Sequence, residues 1–465
     1  MRRLTYGIMM VFTLTITGCK NESGKNTDSI KVTDGQDISG GIVSPFGDQP
    51  AMAISPDNII GITFGNEEII YYSESSDEGV LFSEPEKVGT LKGMMLGYSS
   101  GPQIAMTKTN IVITAPSKTG NLFAWSKDRN GSSWEGPFRI NDVEKSVEEC
   151  LSSITSINNG QLFCTWIDTR FLEGASHDNH SVSDKEEESN TFKEKKEDDL
   201  NAMTPIGITK KELYEKIGDV PENAHLAFHD DQEGNLLWVF LDAKGDAIKA
   251  ENYEAYKEFK KRNGDRVKPE GKIYVSSSSD GGRSWAKSQL AYKSPDGSVC
   301  ECCKPSIESD VEGNLFVMFR NNLNGSRDMH YTKSTDNGTT FSKPLKLGSG
   351  TWKINGCPMD GGGIALYDSS DLNTVWQREG KVYLANSEFS EQFIGQGRSP
   401  SISSNGDDTN IVFTAGEEIM AVNGPMYLPM KIGAGNSPRV LSVSDGAIYV
   451  WVSQTGVQYK KILNN

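Results

Sequence analysis

A repeat constrains the fold more than any other feature of this chain. A unit of strand, polar turn, strand, loop, strand and a second polar turn recurs to the end. Its first strands begin near Gln49, Gly101, Cys150, Cys303, Cys357, Arg398 and Ser437. The spacing is roughly 40–50 residues, the period of four-stranded propeller blades, with one longer gap between Cys150 and Cys303. The expected fold is therefore an all-β propeller of four-stranded antiparallel blades, seven by this count, with six as the alternative. The last unit lacks an evident fourth strand, so a strand near Ile42 is expected to close the ring.

The turns after the third strands share a pattern. Ser75-Ser-Asp77-Glu-Gly79 is followed by Phe82, Ser278-Ser-Asp280-Gly-Gly282 by Trp285, and Ser334-Thr-Asp336-Asn-Gly338 by Phe341. A fourth copy, Ser126-Lys-Asp128-Arg-Asn-Gly131 with Trp134, carries one extra residue before the glycine. Asp and Ser side chains hydrogen-bond turn amides, glycine accepts a positive φ, and the aromatic fills the gap between strands. These turns resemble the Asp boxes (BNR repeats) of the sialidase superfamily. The resemblance implies that Asp77, Asp128, Asp280 and Asp336 are structural and lie on the face opposite the substrate-binding end. The run Cys300-Glu-Cys302-Cys303-Lys304-Pro305 followed by Cys357-Pro-Met-Asp-Gly-Gly-Gly363 resembles a subgroup of sialidase-like bacterial proteins often labelled exo-α-sialidase.

The beginning of the chain reads as an address. Arg2 and Arg3 precede an apolar stretch, Leu4 to Ile16, and then Gly18-Cys19. This is the layout of a signal peptide, and its end resembles the lipobox of bacterial lipoproteins. It implies cleavage before Cys19, lipidation of that residue and a place in the bacterial cell envelope. The reading divides the chain into a signal at 1–18, a flexible tether at 19–45 and a propeller at 46–465 with an insertion at 171–270. The net charge of −16 argues against nucleic acid as a partner, because such binders need a basic surface. The apolar stretch is too short to span a bilayer. The expected partners are an extracellular glycan or a surface protein, met by a monomer.

The insertion begins with ten acidic and four basic residues between Glu173 and Leu200, a solvated loop in which His177 and His180 form a remote metal possibility. A helix is expected from Thr209, with Thr209 and Glu212 as a capping box. A strand is expected over Asn235–Asp242 and a second helix over Ala247–Arg262.

In such a propeller, starts of first strands and loops between second and third strands share one mouth. Tyr98, Glu149, Cys150, Asp168, Arg170, Lys304, Arg320, Arg327, Asp328, Cys357, Asp360, Arg378, Glu379, Arg398 and Arg439 occupy such positions. The resemblance implies a three-arginine clamp on a carboxylate, since guanidinium matches carboxylate bidentately, with a tyrosine nucleophile and an aspartate acid/base. The family's first arginine is missing, because no arginine occurs between Arg3 and Arg129. Phe138-Arg139-Ile140-Asn141 imitates its motif but lacks the proline and reads as an outer strand. Arg320, Arg327 and Arg378, with Arg170, are the substitute anion ligands, against inter-blade ion pairs as the alternative. Asp168, Asp328 and Asp360 are the catalytic carboxylate candidates, and Tyr98 the nucleophile candidate.

Six cysteines remain besides Cys19. Cys150, Cys300, Cys302, Cys303 and Cys357 all fall at the mouth end; Cys164 reads as buried in a strand. In an exported chain they predict disulfides between blades, with a copper or zinc thiolate site as the second reading and otherwise no cofactor. The function expected is engagement of an extracellular anionic glycan, with glycoside hydrolysis left open. The alternative is a non-catalytic binding or scaffold propeller with a disulfide-rich or metal-binding face.

Overall fold

The computed structural model describes residues 37–97, 99–170, 209–217, 225–230, 236–241, 247–251, 270–354, 356–366, 372–386, 390–406, 408–424 and 427–464. Seven four-stranded antiparallel sheets form seven blades. Their inner strands are Asp48–Ile54, Gln103–Met106, Ser152–Ser156, Ser306–Ser309, Gly362–Leu366, Arg398–Asn405 and Asn436–Val443. Each packs beside the next, and the seventh returns to the first, so the ring is closed.

Closure uses the N-terminal strand. Asp37–Ser44 pairs antiparallel with Gly456–Leu463, with Ile42 opposite Gln458, and is the outer strand of blade seven. The propeller therefore starts before residue 46. The closing strand expected near Ile42 is thus present, and it takes residues 37–44 out of the tether and into the propeller.

Apolar side chains fill the gaps between blades. Ile70, Tyr72, Ile111, Ile113 and Trp125 form one such core between blades one and two. Val43, Phe64, Val450 and Tyr459 form another between blades seven and one. Outer-strand glycines let neighbouring aromatics lie flat on the backbone: a Cβ on Gly433 would meet the Trp451 ring at 2.6 Å. Trp166, Trp376 and Trp451 are all buried, so these tryptophans pack blades together.

Register fixes the two ends of the barrel. Ile54 pairs with Ile60, and Ile60 with Ser75, so the end of an inner strand and its third-strand turn share one end. Starts of inner strands lie at the other end, the mouth. The Ser-x-Asp-x-Gly turns thus sit away from the mouth. In blade one, Ser75 Oγ bonds Asp77 Oδ1 at 2.7 Å and accepts the Gly79 amide at 2.8 Å, while Asp77 Oδ1 accepts the Leu81 amide. Blades three and four repeat this at Ser278/Asp280 and Ser334/Asp336. Hydrogen bonds from turn amides and hydroxyls hold the Asp77, Asp280 and Asp336 carboxyls below the usual range, Asp336 to about 2. The copy with the extra residue departs from the pattern. Ser126 Oγ instead donates to Gly281 O at 2.6 Å in the next blade's turn, and Asp128 accepts from Asn110.

The insertion interrupts blade three at the mouth, because Asp168 pairs with Lys272 across the gap. Lys210–Ile217 is helical and capped as expected: the Thr209 amide donates to Glu212 Oε2 at 2.7 Å and the Glu212 amide to Thr209 Oγ1 at 3.2 Å. A three-stranded sheet follows, His225–Asp230, Leu236–Leu241 and Ala247–Ala250. The expected second helix is corrected at its start, where Ala247–Ala250 pairs as a strand instead; Ile248 favours an extended backbone there. Cys19, His177 and His180 lie outside the described residues. Phe138-Arg139 falls in Glu135–Arg139, the outer strand of blade two.

Candidate functional site

Among the described residues, two chambers lie along the central channel. The one at the mouth has a volume of about 180 Å³ and the lower one about 370 Å³. A water needs roughly 10–15 Å³ on this measure, so the mouth chamber has room for about a dozen waters. Met52, Ile104, Ile154, Ile364 and Ile402 line both chambers and form an apolar waist between them, with Glu308 among them.

Lys304, Gln103, Asp360, Ser399 and Arg439 contribute polar groups to the mouth chamber. Lys304 enters at the start of blade four and donates from Nζ to Gln103 Oε1 of blade two. Gly361 lets the blade-five entry pass close by: a Cβ there would lie 2.4 Å from Lys304 O. Arg439 enters from blade seven, with Nη1 on Pro438 O at 2.8 Å. Burial and the Arg439 charge push Lys304 well below its ordinary pKa. Burial also lowers Arg439, partly offset by Asp360.

Asp360 is the carboxylate facing these cations. Burial pushes it up to about 6, against the Ser399 amide at 2.8 Å and the charges of Arg320, Arg398 and Arg439. The lining itself carries two basic residues, Lys304 and Arg439, and two carboxyls, Asp360 and Glu308, while the charges of Arg320 and Arg398 act on Asp360 from outside it.

Glu308, at the waist, is pushed up to about 7 by burial, only partly offset by a bond from Thr155 Oγ1 at 3.3 Å and by the Ser309 amide. A carboxyl whose folded pKa lies above its unfolded value binds a proton that the unfolded chain has lost. Stability then falls as pH rises from about 4.5 to about 7 and stays low above that. The full penalty is at most roughly 3 kcal/mol, and less because the side chain keeps some contact with the channel interior. Glu308→Gln is therefore expected to raise the unfolding midpoint at pH 8 and leave it unchanged near pH 4. Equal shifts at both values in thermal scans would contradict this placement.

The other candidates lie elsewhere. Arg320 is 1 % exposed, and its guanidinium is engaged by backbone. Nε and Nη2 reach Asp360 O at 3.2 and 3.1 Å, Nη2 also reaches Gln377 O at 2.8 Å, and Nη1 reaches Arg327 O at 2.7 Å. It clamps the ends of blades four and five. Arg378 pairs with Glu391 and stacks on Tyr383 at 4.1 Å. Arg170 bonds both oxygens of Asp168 and Oδ1 of Asp142, and lies over Tyr274 at 4.0 Å. Asp168, fully buried, also accepts from Trp166 Nε1 and Ser146 Oγ. Asp328 accepts the Trp352 amide at 2.7 Å. Asp168 and Asp328 thus hold loops at the rim, and Asp360 alone of the three lines the chamber. Tyr98 lies outside the described residues; Ser99 beside it lines the chamber.

The cysteines separate into two groups. Cys302 and Cys357 form a disulfide that staples the entries of blades four and five. Cys300 and Cys303 are free and buried beside it, with sulfurs 3.1 Å apart. Burial raises the Cys303 thiol, but the Cys300 hydrogen bond, the Arg320 charge and the Asp360 amide more than offset this and bring it to about 7. Cys150 does not join them, which corrects the five-cysteine grouping. Its thiol faces Ser117 O of blade two at 3.2 Å, and burial pushes it up to about 12. Cys164 is buried in its strand, as expected.

No family model matches this chain, and no curated protein matches it. Solved structures resemble it across most of its length. A protein of unknown function from Dyadobacter fermentans is 12% identical, with a TM-score of 0.40 over 93% of this chain and 100% of that one. An α-L-arabinanase from Penicillium chrysogenum, complexed with arabinobiose, is 8% identical, with a TM-score of 0.41 over 92% and 98%. A mutant of NanB sialidase from Streptococcus pneumoniae is 11% identical, with a TM-score of 0.40 over 87% and 83%. Likenesses this distant transfer no activity to the present chain.

Proposed function

We propose that this protein is an envelope-anchored binding propeller that takes the acidic group of an extracellular glycan into the mouth of its channel. One observation carries the reading: Lys304 and Arg439 enter the same chamber from blades four and seven, with Asp360 as the carboxylate facing them. Burial disfavours the charged form of both groups, and the Arg439 charge adds to that cost at Lys304, so an anion bound between them would relieve it. A carboxylate, on a sialic or uronic acid, fits the guanidinium and ammonium donors, and the chamber admits one small acidic group with its ring at the rim. The anchor is the lipidated Cys19.

Binding takes precedence over hydrolysis in this reading because Asp168 and Asp328 are committed to rim contacts, Asp360 faces Arg439, and Glu308 lies below at the apolar waist. The test is calorimetry with sialosides, uronides and matched neutral sugars. An acidic saccharide is expected to bind, and Arg439→Gln or Lys304→Gln to weaken it about tenfold or more, as for loss of a charged hydrogen bond. Equal binding of acidic and neutral sugars, or unchanged affinity in both variants, would sink the reading. Release of sugar from the same panel would make the protein an enzyme instead.

A further inference from the structure

The turn Cys300–Cys303 places three sulfurs on one side of a tight loop. Its backbone is pinned by the Cys300 amide on Arg320 O at 2.9 Å and the Cys303 amide on Cys300 O at 3.2 Å. The sulfur of Cys302 lies 3.7 Å from that of Cys300 and 3.9 Å from that of Cys303. The blade-five entry brings a fourth sulfur, Cys357, onto Cys302. Four thiolates around a tetrahedral ion at about 2.3 Å sit roughly 3.8 Å from one another, which is the spacing Cys302 keeps to both free thiols.

Arg320 and Arg327 stand beside the turn: the Cys300 amide bonds Arg320 O, and Arg320 Nη1 reaches Arg327 O. Nε of Arg327 is buried with no hydrogen-bond partner. A buried donor without an acceptor is costly, and a neutral thiol is a weak acceptor. Metal-bound thiolate is a strong one, and outer donors of this kind are a regular part of thiolate metal centres. Several bare thiolates so close would repel one another; a cation among them removes that cost.

We propose that, with the Cys302–Cys357 bond reduced, Cys300, Cys302, Cys303 and Cys357 form a tetrathiolate site for one thiophilic ion, Zn(II) or Cu(I). Soft sulfur ligands select this class of metal. Cys357 is exposed while Cys300 and Cys303 are buried, so an incoming dithiol reaches the bond from outside. Its first thiolate attacks Cys357 Sγ and expels the Cys302 thiolate. Its second closes the dithiol's own disulfide and releases Cys357. One S–S bond is broken and one formed, and two electrons pass from the dithiol to the protein. Metal uptake then releases the thiol protons to solvent. The disulfide is the closed, metal-free state of the same four residues.

The test uses the full chain, reduced with a phosphine under anaerobic conditions, offered Zn(II) and Cu(I) in separate arms and then desalted. Elemental analysis is expected to find one ion per chain in at least one arm, and Co(II) to give sulfur-to-metal charge-transfer bands. Cys300→Ser and Cys303→Ser are expected to lose the ion; Cys164→Ser and Cys150→Ser are expected to keep it. Alkylation followed by mass spectrometry reads the same point in the unaltered protein, where metal should protect all four cysteines together. Retention of no ion in either arm, full binding by folded Cys300→Ser, or a native Cys300–Cys303 disulfide in non-reduced peptides would overturn the assignment.

Discussion

Arg320→Ala is expected to lower the thermal midpoint by roughly 3–6 °C. The guanidinium links four segments: its own strand end in blade four, the 327 loop, the blade-five entry at Asp360 and the strand end at Gln377. Truncation leaves three carbonyls without their donors and opens a cavity beside Trp352, whose ring lies 5.5 Å away. Breaking a buried charged network of this kind costs about 3–5 kcal/mol. Arg320→Lys should recover only part of it, since one ammonium cannot span the same carbonyls. The measurement separates two roles. A clamp residue changes the midpoint in the absence of any ligand. A ligand-binding arginine changes saccharide affinity and leaves the midpoint within about a degree, as surface substitutions do.

That distinction marks where the sequence stops being readable. Blade spacing, the Ser-x-Asp-x-Gly turns and the Thr209 capping box follow from local chemistry, and each reappears in the structure. The arginines do not sort themselves in this way. Inner strands of blades six and seven carry register shifts at Arg398/Ser401 and Asn436/Arg439, with Ser399 and Ser437 at positive φ. A bulge of this kind shifts the alternation of side chains between faces. Arg398, before the shift, is exposed at the rim, while Arg439, after it, lines the chamber. Arithmetic on every second residue cannot foresee this. The place of Asp360 at the mouth was legible, but its raised carboxyl pKa was not, because enclosure between blades produces it. The cysteine cluster was half legible: three of its members share one turn. The separation of Cys150 follows from its own register, which turns the thiol onto Ser117 O.

A chain beginning at Phe46 is expected to melt roughly 5 °C or more below one beginning at Gly35, or to aggregate. The eleven residues between the two starts include the strand Asp37–Ser44. Its loss strips the ladder from Gly456–Leu463 and leaves an open edge along blade seven. It also removes Val43 from the core shared with Phe64, Val450, Val457 and Tyr459. The bond from Ser39 Oγ to Gly79 O, which ties the closing strand to blade one, goes with it. Each ladder bond contributes about 1 kcal/mol net, and ordering the strand takes back part of the sum, so several kcal/mol remain. The effect extends beyond blade seven, because the ring closes between the first and last segments of the chain and every blade leans on two neighbours. A peptide of residues 35–45, added in trans, should bind the vacant edge as an added strand and restore part of the midpoint. Equal midpoints for the two chains would mean that the ring holds without its closing strand, and that the inter-blade cores alone carry its stability.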